Sequence, residues 1–138
     1  MPVTAAPAHR LTFRKKERLC SRKVIQEIVQ KGKSIHLSPI RLTWLKIKLP
    51  HDVPAQAAFV VPKKNFKSAV DRNRIKRKMR ESYRKNKSAF FPLISFQDCQ
   101  YAMLFVYTGT ETVSYSETEE KTKIILHRLA ETIQKNNG

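Results

Sequence analysis

Nine consecutive residues, Arg72-Asn73-Arg74-Ile75-Lys76-Arg77-Lys78-Met79-Arg80, carry six cations. Arginine forks grip phosphate oxygens in pairs, and lysines add point charges. The chemistry such a run can do is recognition of a polyanion, with nucleic acid the first candidate. Groups that cut bonds are not arranged for it. His9, His36, His51 and His127 are scattered, with none at metal-ligand spacing from another His or a Cys. Asp52, Asp71 and Asp98 lie far apart, so paired carboxylates that could hold two metals for phosphodiester cleavage are not evident. Three glycines in the whole chain exclude a P-loop or a dinucleotide fingerprint. No Ser/His/Asp or Cys/His arrangement is readable.

The cations need an element to hold them. Ile75 and Met79 are four apart, the spacing of one side of a helix. With about 100° of turn per residue, Ile75, Met79, Ser82, Tyr83, Asn86 and Phe90 share one face, predicted to meet a sheet. Asn73, Lys76, Arg77, Arg80, Arg84 and Lys87 form a continuous cationic band. Arg72 falls in the first turn, where it can reach past the helix start. Ser68 or Asp71 can cap the helix, which is expected to run to about Lys87. Arg72–Lys76, Lys76–Arg80 and Arg80–Arg84 are like-charged pairs at i,i+4 and repel by a few tenths of a kcal/mol each. An ordinary solvated face mixes signs; an anionic partner would neutralise this one. Asn73 can pair with a base edge or a ribose hydroxyl, or make a local turn contact.

The chain has 138 residues, 41% apolar, with a formal charge of +17, which suits one folded domain. Pro62 to Lys87 holds twelve Lys/Arg against Asp71 and Glu81, so the excess is localised. Residues 1–10 read as a loose tail, 11–134 as the domain and 135–138 as a fraying end. No signal-like segment and no apolar run long enough for a bilayer is present, so a cytoplasmic protein is expected. Cys20 and Cys99 read as reduced thiols, best explained as small buried apolar residues.

Ser21 can cap a helix that stops at Gly32, with Val24, Ile25, Ile28 and Val29 apolar. Strands are expected at Ile35–Leu37, Ile40–Leu49 with a bulge near Trp44 and Leu45, Ala57–Val61, and Tyr101–Tyr107 in a central position. Phe90 to Asp98 reads as a connection. Ser116-Glu117-Thr118-Glu119 reads as a capping box opening a last helix that buries Ile125, Leu126, Leu129 and Ile133. The order α-β-β-β-α-β-α gives an α+β two-layer sandwich.

Val60-Val61-Pro62-Lys63-Lys64, followed by Ala69-Val70-Asp71-Arg72-Asn73-Arg74-Ile75-Lys76-Arg77 and Arg80, resembles the signature of the bacterial ribonuclease P protein component. Glu17-Arg18-Leu19, Lys31-Gly32, the Tyr101–Tyr107 strand and the terminal helix extend the resemblance over residues 10 to 134. It implies a left-handed β-α-β crossover around the basic helix. It also implies an RNA-binding subunit of a ribonucleoprotein endonuclease. Its partners are a catalytic RNA and precursor tRNA, with no membrane and no obligate protein partner. The complex removes the 5′ leader; the RNA does the hydrolysis with Mg²⁺, held mainly by the RNA and substrate, and this chain supplies no catalytic or metal-binding residue.

Carried over, Lys63, Lys64, Arg72, Asn73, Arg74, Lys76, Arg77 and Arg80 would contact RNA; Arg84 is added from helical geometry. The family's leader cleft has two aromatic positions on the first helix, where this chain has Ile25 and Val29. Thr43 or Trp44 on the adjoining strand would help line it. The family's Gly-rich element before the basic helix is here Asn65-Phe66-Lys67-Ser68. A ribosomal or ribosome-assembly RNA-binding protein would have the same charge and size, and is the alternative. A protein-only nuclease and a DNA-binding protein fit less well, since carboxylates are not paired and the basic helix follows a strand, not a helix.

Overall fold

A computed structural model describes residues 13–94 and 99–137. The expected tail at 1–10, His9 and Asp98 lie outside them. The helices are α1 (Arg22–Lys31), α2 (Ala69–Ile94) and α3 (Tyr115–Asn137), and the strands β1 (Lys33–Leu37), β2 (Ile40–Lys46), β3 (Ala55–Val60) and β4 (Tyr101–Tyr107). The order is the expected α-β-β-β-α-β-α. The sheet runs β1-β2-β4-β3, antiparallel except for β3 beside β4. That parallel pair is joined through α2.

The apolar run of β4 reflects its place in the middle of the sheet. Tyr101, Met103, Phe105 and Tyr107 face a core shared with α2 and α3, while Ala102 and Leu104 face a smaller core under α1. The two-sided burial also explains Trp44 and Leu45. The β2–β4 register is unbroken from Ile40↔Tyr107 to Lys46↔Tyr101, so the expected bulge is absent. Trp44 serves the larger core and Leu45 the smaller, which is why both are apolar.

Ser21 caps α1, its hydroxyl accepting from the Val24 amide. Gly32 ends it by lack of space. A Cβ there would lie 2.5 Å from the Ile28 carbonyl oxygen and 2.9 Å from both Thr43 Cγ2 and the Trp44 carbonyl oxygen. Ser68, not Asp71, caps α2. The cap of α3 is Ser114, before the expected box: its hydroxyl accepts from the Glu117 amide.

The largest departure is in α2, which continues past Lys87, through Pro92, to Ile94. Proline sits badly in a helix because it lacks an N–H and crowds the preceding turn. Here Phe90, Phe91 and Ile94 are buried in the main core, and their burial outweighs the local cost. The cysteines are both free, but Cys20 is exposed, contrary to the buried expectation, because it lies just before the Ser21 cap.

Candidate nucleic-acid interface

The first half of α2 presents the cations. Ile75 and Met79 are buried against the core. That turns Asn73, Arg74, Arg77 and Arg80 fully outward and leaves Lys76 half-exposed. Among the described residues the ion pairs are Arg84–Glu81, Lys87–Glu17 and His127–Glu131. Arg74, Arg77 and Arg80 belong to none of them.

The segment before the helix is built to carry two more cations. Phe66 packs its ring 5.8 Å from that of Tyr107, anchoring the connection to the end of β4. The amides of Asn65 and Phe66 donate back to the Pro62 carbonyl, which forms a turn with Lys63 and Lys64 exposed on it. Arg72 reaches past the helix start, as expected, and donates to the carbonyl oxygens of Phe66 at 2.8 Å and Lys67 at 2.9 Å. It braces the turn, and its positive charge stays half-exposed beside Asn73 and Arg74.

The second half of α2 differs. Arg84 is held by Glu81, its Nε donating at 3.0 Å to one carboxylate oxygen and an NH2 group donating to the other. This contact keeps the Glu81 carboxyl below, and the Arg84 guanidinium above, their usual ranges. Lys87, placed in the cationic band by its angle on the helix, is 1% exposed. Its ammonium donates to Glu17 and lies over the rings of Phe13 and Phe91. Burial pushes it below the usual lysine range, and the hydrogen bond to Glu17 partly offsets that. Nothing near Lys87 in sequence signals this, because its partner lies far upstream, beyond α1 and the first three strands.

The leader-cleft set is only partly brought together. Ile25 is half-buried on α1, Val29 is 70% exposed, and Thr43 is half-exposed on the α1 side of β2. Trp44 points the other way, as successive strand residues must, and is buried against Tyr101. Cross-strand register supplies residues that sequence reasoning missed. His36↔Arg41, Arg41↔Val106 and Val60↔Val106 make one row across all four strands. His36 and Arg41 are exposed and Val60 is 38% exposed. The row therefore leaves an apolar floor with a cationic edge open beside α1. Val60 leads directly through Val61 and Pro62 into Lys63 and Lys64. Knowing the strand pairing would have revealed it.

Among the described residues, no group of three His, Cys, Asp or Glu side chains could hold a metal ion, and no helix is long and apolar enough to cross a membrane. The donor set among the described residues does not suit Mg²⁺.

A cationic helix braced on an α+β sheet, next to an open half-apolar face, is a surface suited to a polyanion. Comparison with known proteins narrows the class. The sequence model of the family described as Ribonuclease P matches residues 13–130. The ribonuclease P protein component of Porphyromonas gingivalis strain W83 is 30% identical over 129 residues, covering 93% of this chain and 92% of its own length. That of Chlorobium phaeobacteroides is 30% identical over 131 residues, 88% of this chain and 90% of its own. The ribonuclease P protein of Thermotoga maritima superposes with a TM-score of 0.63 at 26% identity, over 81% of this chain and 96% of that one. The Staphylococcus aureus protein gives the same TM-score at 19% identity, over 83% and 96%, and shares the fold. This chain belongs to the ribonuclease P protein family.

Proposed function

We propose that this chain is the RNA-binding subunit of ribonuclease P and helps a catalytic RNA remove the 5′ leader from precursor tRNA. The observation that carries the reading is the band Asn73, Lys76, Arg77 and Arg80, with Arg74 beside it and Lys63 and Lys64 at its foot. Lys76 is half-exposed and the others are exposed, and the arginines have no carboxylate partner among the described residues. In this proposal the band lies on the catalytic RNA near its junction with the substrate. Arg72 positions the turn and adds charge.

The leader would pass over the row His36, Arg41, Val106 and Val60, beside Ile25, Val29 and Thr43. Without aromatic residues at Ile25 and Val29, the stacking worth about 1–3 kcal/mol per base is missing on that wall. Binding there would rely on Arg41 with phosphate and on apolar contact with the bases. Cations placed between enzyme RNA and leader reduce their mutual repulsion, so substrate binds more tightly. Mg²⁺ would be held mainly by the RNA and the substrate, and hydrolysis would belong to the RNA.

Reconstitution tests this. The chain added to the catalytic RNA at low Mg²⁺ should raise the rate of precursor-tRNA cleavage and lower KM. No gain in either, with the protein folded and bound, would overturn the reading.

A further inference from the structure

Three lysines outside the basic helix converge on one hollow. Lys31 closes α1, Lys33 opens β1 and Lys46 closes β2, and all three line a cavity of about 460 Å³ floored by Trp44, Tyr101 and Ile133. Its size lies within the range of sites that take small ligands. Among the described residues no carboxylate lines it, and none of the three lysines joins an ion pair. Lys33 is steadied, its ammonium lying 5.9 Å from the centre of the Trp44 ring. Like charges brought together without a counter-charge are costly unless an anion joins them.

The hollow is remote from the basic helix and the turn before it, while Lys31 stands two residues past Val29 of the proposed leader path. The hollow sits at the Tyr101 end of β4, by the β1 edge, whereas Phe66 and the Lys63–Lys64 turn sit at the Tyr107 end, by β3. At about 3.3 Å per residue the two are separated by roughly 20 Å along β4 alone. One phosphate cannot serve both.

We infer that the hollow is a second phosphate-binding site, which takes a nucleotide or two of single-stranded RNA through Lys31, Lys33 and Lys46. The choice of RNA over another phosphate carrier rests on the proposed function; the convergence of charge does not. A duplex is too broad for a space of this volume, so a single strand is the fitting form.

Trp44 is the sole tryptophan, so its emission reports on the hollow directly. The full chain is titrated with pentauridylate while Trp44 emission is followed. A saturable change is expected, with a log–log salt slope near −2, from about 0.7 per neutralised single-strand phosphate. Lys31→Ala/Lys33→Ala/Lys46→Ala should move the midpoint about tenfold. Lys31→Gln alone, at a helix end where the fold is least at risk, should move it about threefold. Arg74→Ala/Arg77→Ala should leave it within twofold. A silent Trp44, a midpoint indifferent to the lysine changes, or an equal response to inorganic phosphate at the same phosphate concentration would overturn the inference. The outcomes separate from those of the proposed function. Loss of catalytic-RNA binding in Arg74→Ala/Arg77→Ala with a silent Trp44 sinks only the second site. Retained catalytic-RNA binding in that variant counts against the helix surface instead.

Discussion

Arg77 and Lys87 belong to the same helix and the same predicted cationic band, yet one faces solvent with no ion pair among the described residues and the other is sealed against Glu17. The boundary between the two halves of α2 falls near Glu81. Before it, Arg74, Arg77 and Arg80 repel one another with no carboxylate partner among the described residues. After it, Arg84 has Glu81 and Lys87 has Glu17. The protein pairs Arg84 and Lys87 with carboxylates, ties Arg72 and Lys78 to backbone carbonyls, and leaves Arg74, Arg77 and Arg80 open to another molecule. Charge alone does not distinguish the two uses; the location of each counter-charge does.

The comparison breaks most sharply at Lys87. Lys87→Ala should destabilise the fold by about 3–5 kcal/mol in urea unfolding, because Glu17 is left buried and unpaired. Lys87→Met with Glu17→Leu should recover most of that, since apolar replacement of a buried pair is often neutral. If Lys87→Ala proves harmless to stability but weakens RNA binding, the division of the helix is wrong. Next comes Arg74→Ala/Arg77→Ala/Arg80→Ala. It should leave the urea midpoint nearly unmoved and flatten the salt dependence of RNA binding, by up to about 0.9 log–log units for each duplex phosphate no longer neutralised. An unchanged slope would remove the open half from the interface. Arg84→Ala sharpens the boundary itself. The exposed pair with Glu81 predicts a stability loss below about 1 kcal/mol and little change in salt slope. A slope change like that of Arg77 would move the boundary toward the C-terminus.

The smallest effect concerns Tyr83, in the sealed half. Its hydroxyl is buried without a hydrogen-bond partner among the described residues, and burial pushes its ionisation well above the usual tyrosine range. The folded value exceeds the unfolded one. The stability this contributes is therefore complete below about pH 10 and is lost as pH rises through the folded value. Alkaline titration followed by phenolate absorbance should show Tyr83 ionising only with unfolding. Tyr83→Phe should unfold at higher pH and be neutral or slightly stabilised at pH 7, by up to about 1 kcal/mol. A loss of stability at pH 7 would mean the hydroxyl is satisfied after all.

Much of this was legible in local patterns. The four-residue spacing of Ile75, Met79 and Tyr83 placed the buried face of α2, and the unbroken apolar run of β4 placed that strand in the middle. What failed depended on distant partners. Lys87 looked exposed because Glu17 lies seventy residues away in sequence. Phe90 to Asp98 read as a connection because the burial of Phe90, Phe91 and Ile94, which carries α2 on through Pro92, is not visible in the local sequence. Trp44 and Thr43 were offered for one cleft, although strand alternation sends them to opposite faces. Lys31, Lys33 and Lys46 gave no signal as a group, since only the folding of three elements onto one another brings them together.

The segment leading to α1 does more than supply Glu17. β3 is the last strand of the sheet, and such a strand offers its outer backbone groups to any passing chain. Here the protein fills that place itself. Arg18 bridges to Ala57, the Leu19 amide donates to the Ala57 carbonyl, and the Gln56 side chain holds the Lys16 carbonyl. A protease that clipped the chain after Leu19 would free this guard. The exposed edge of β3 would then be a template on which a second copy could add its own strand, and the same cut would take Glu17 away from Lys87 of α2.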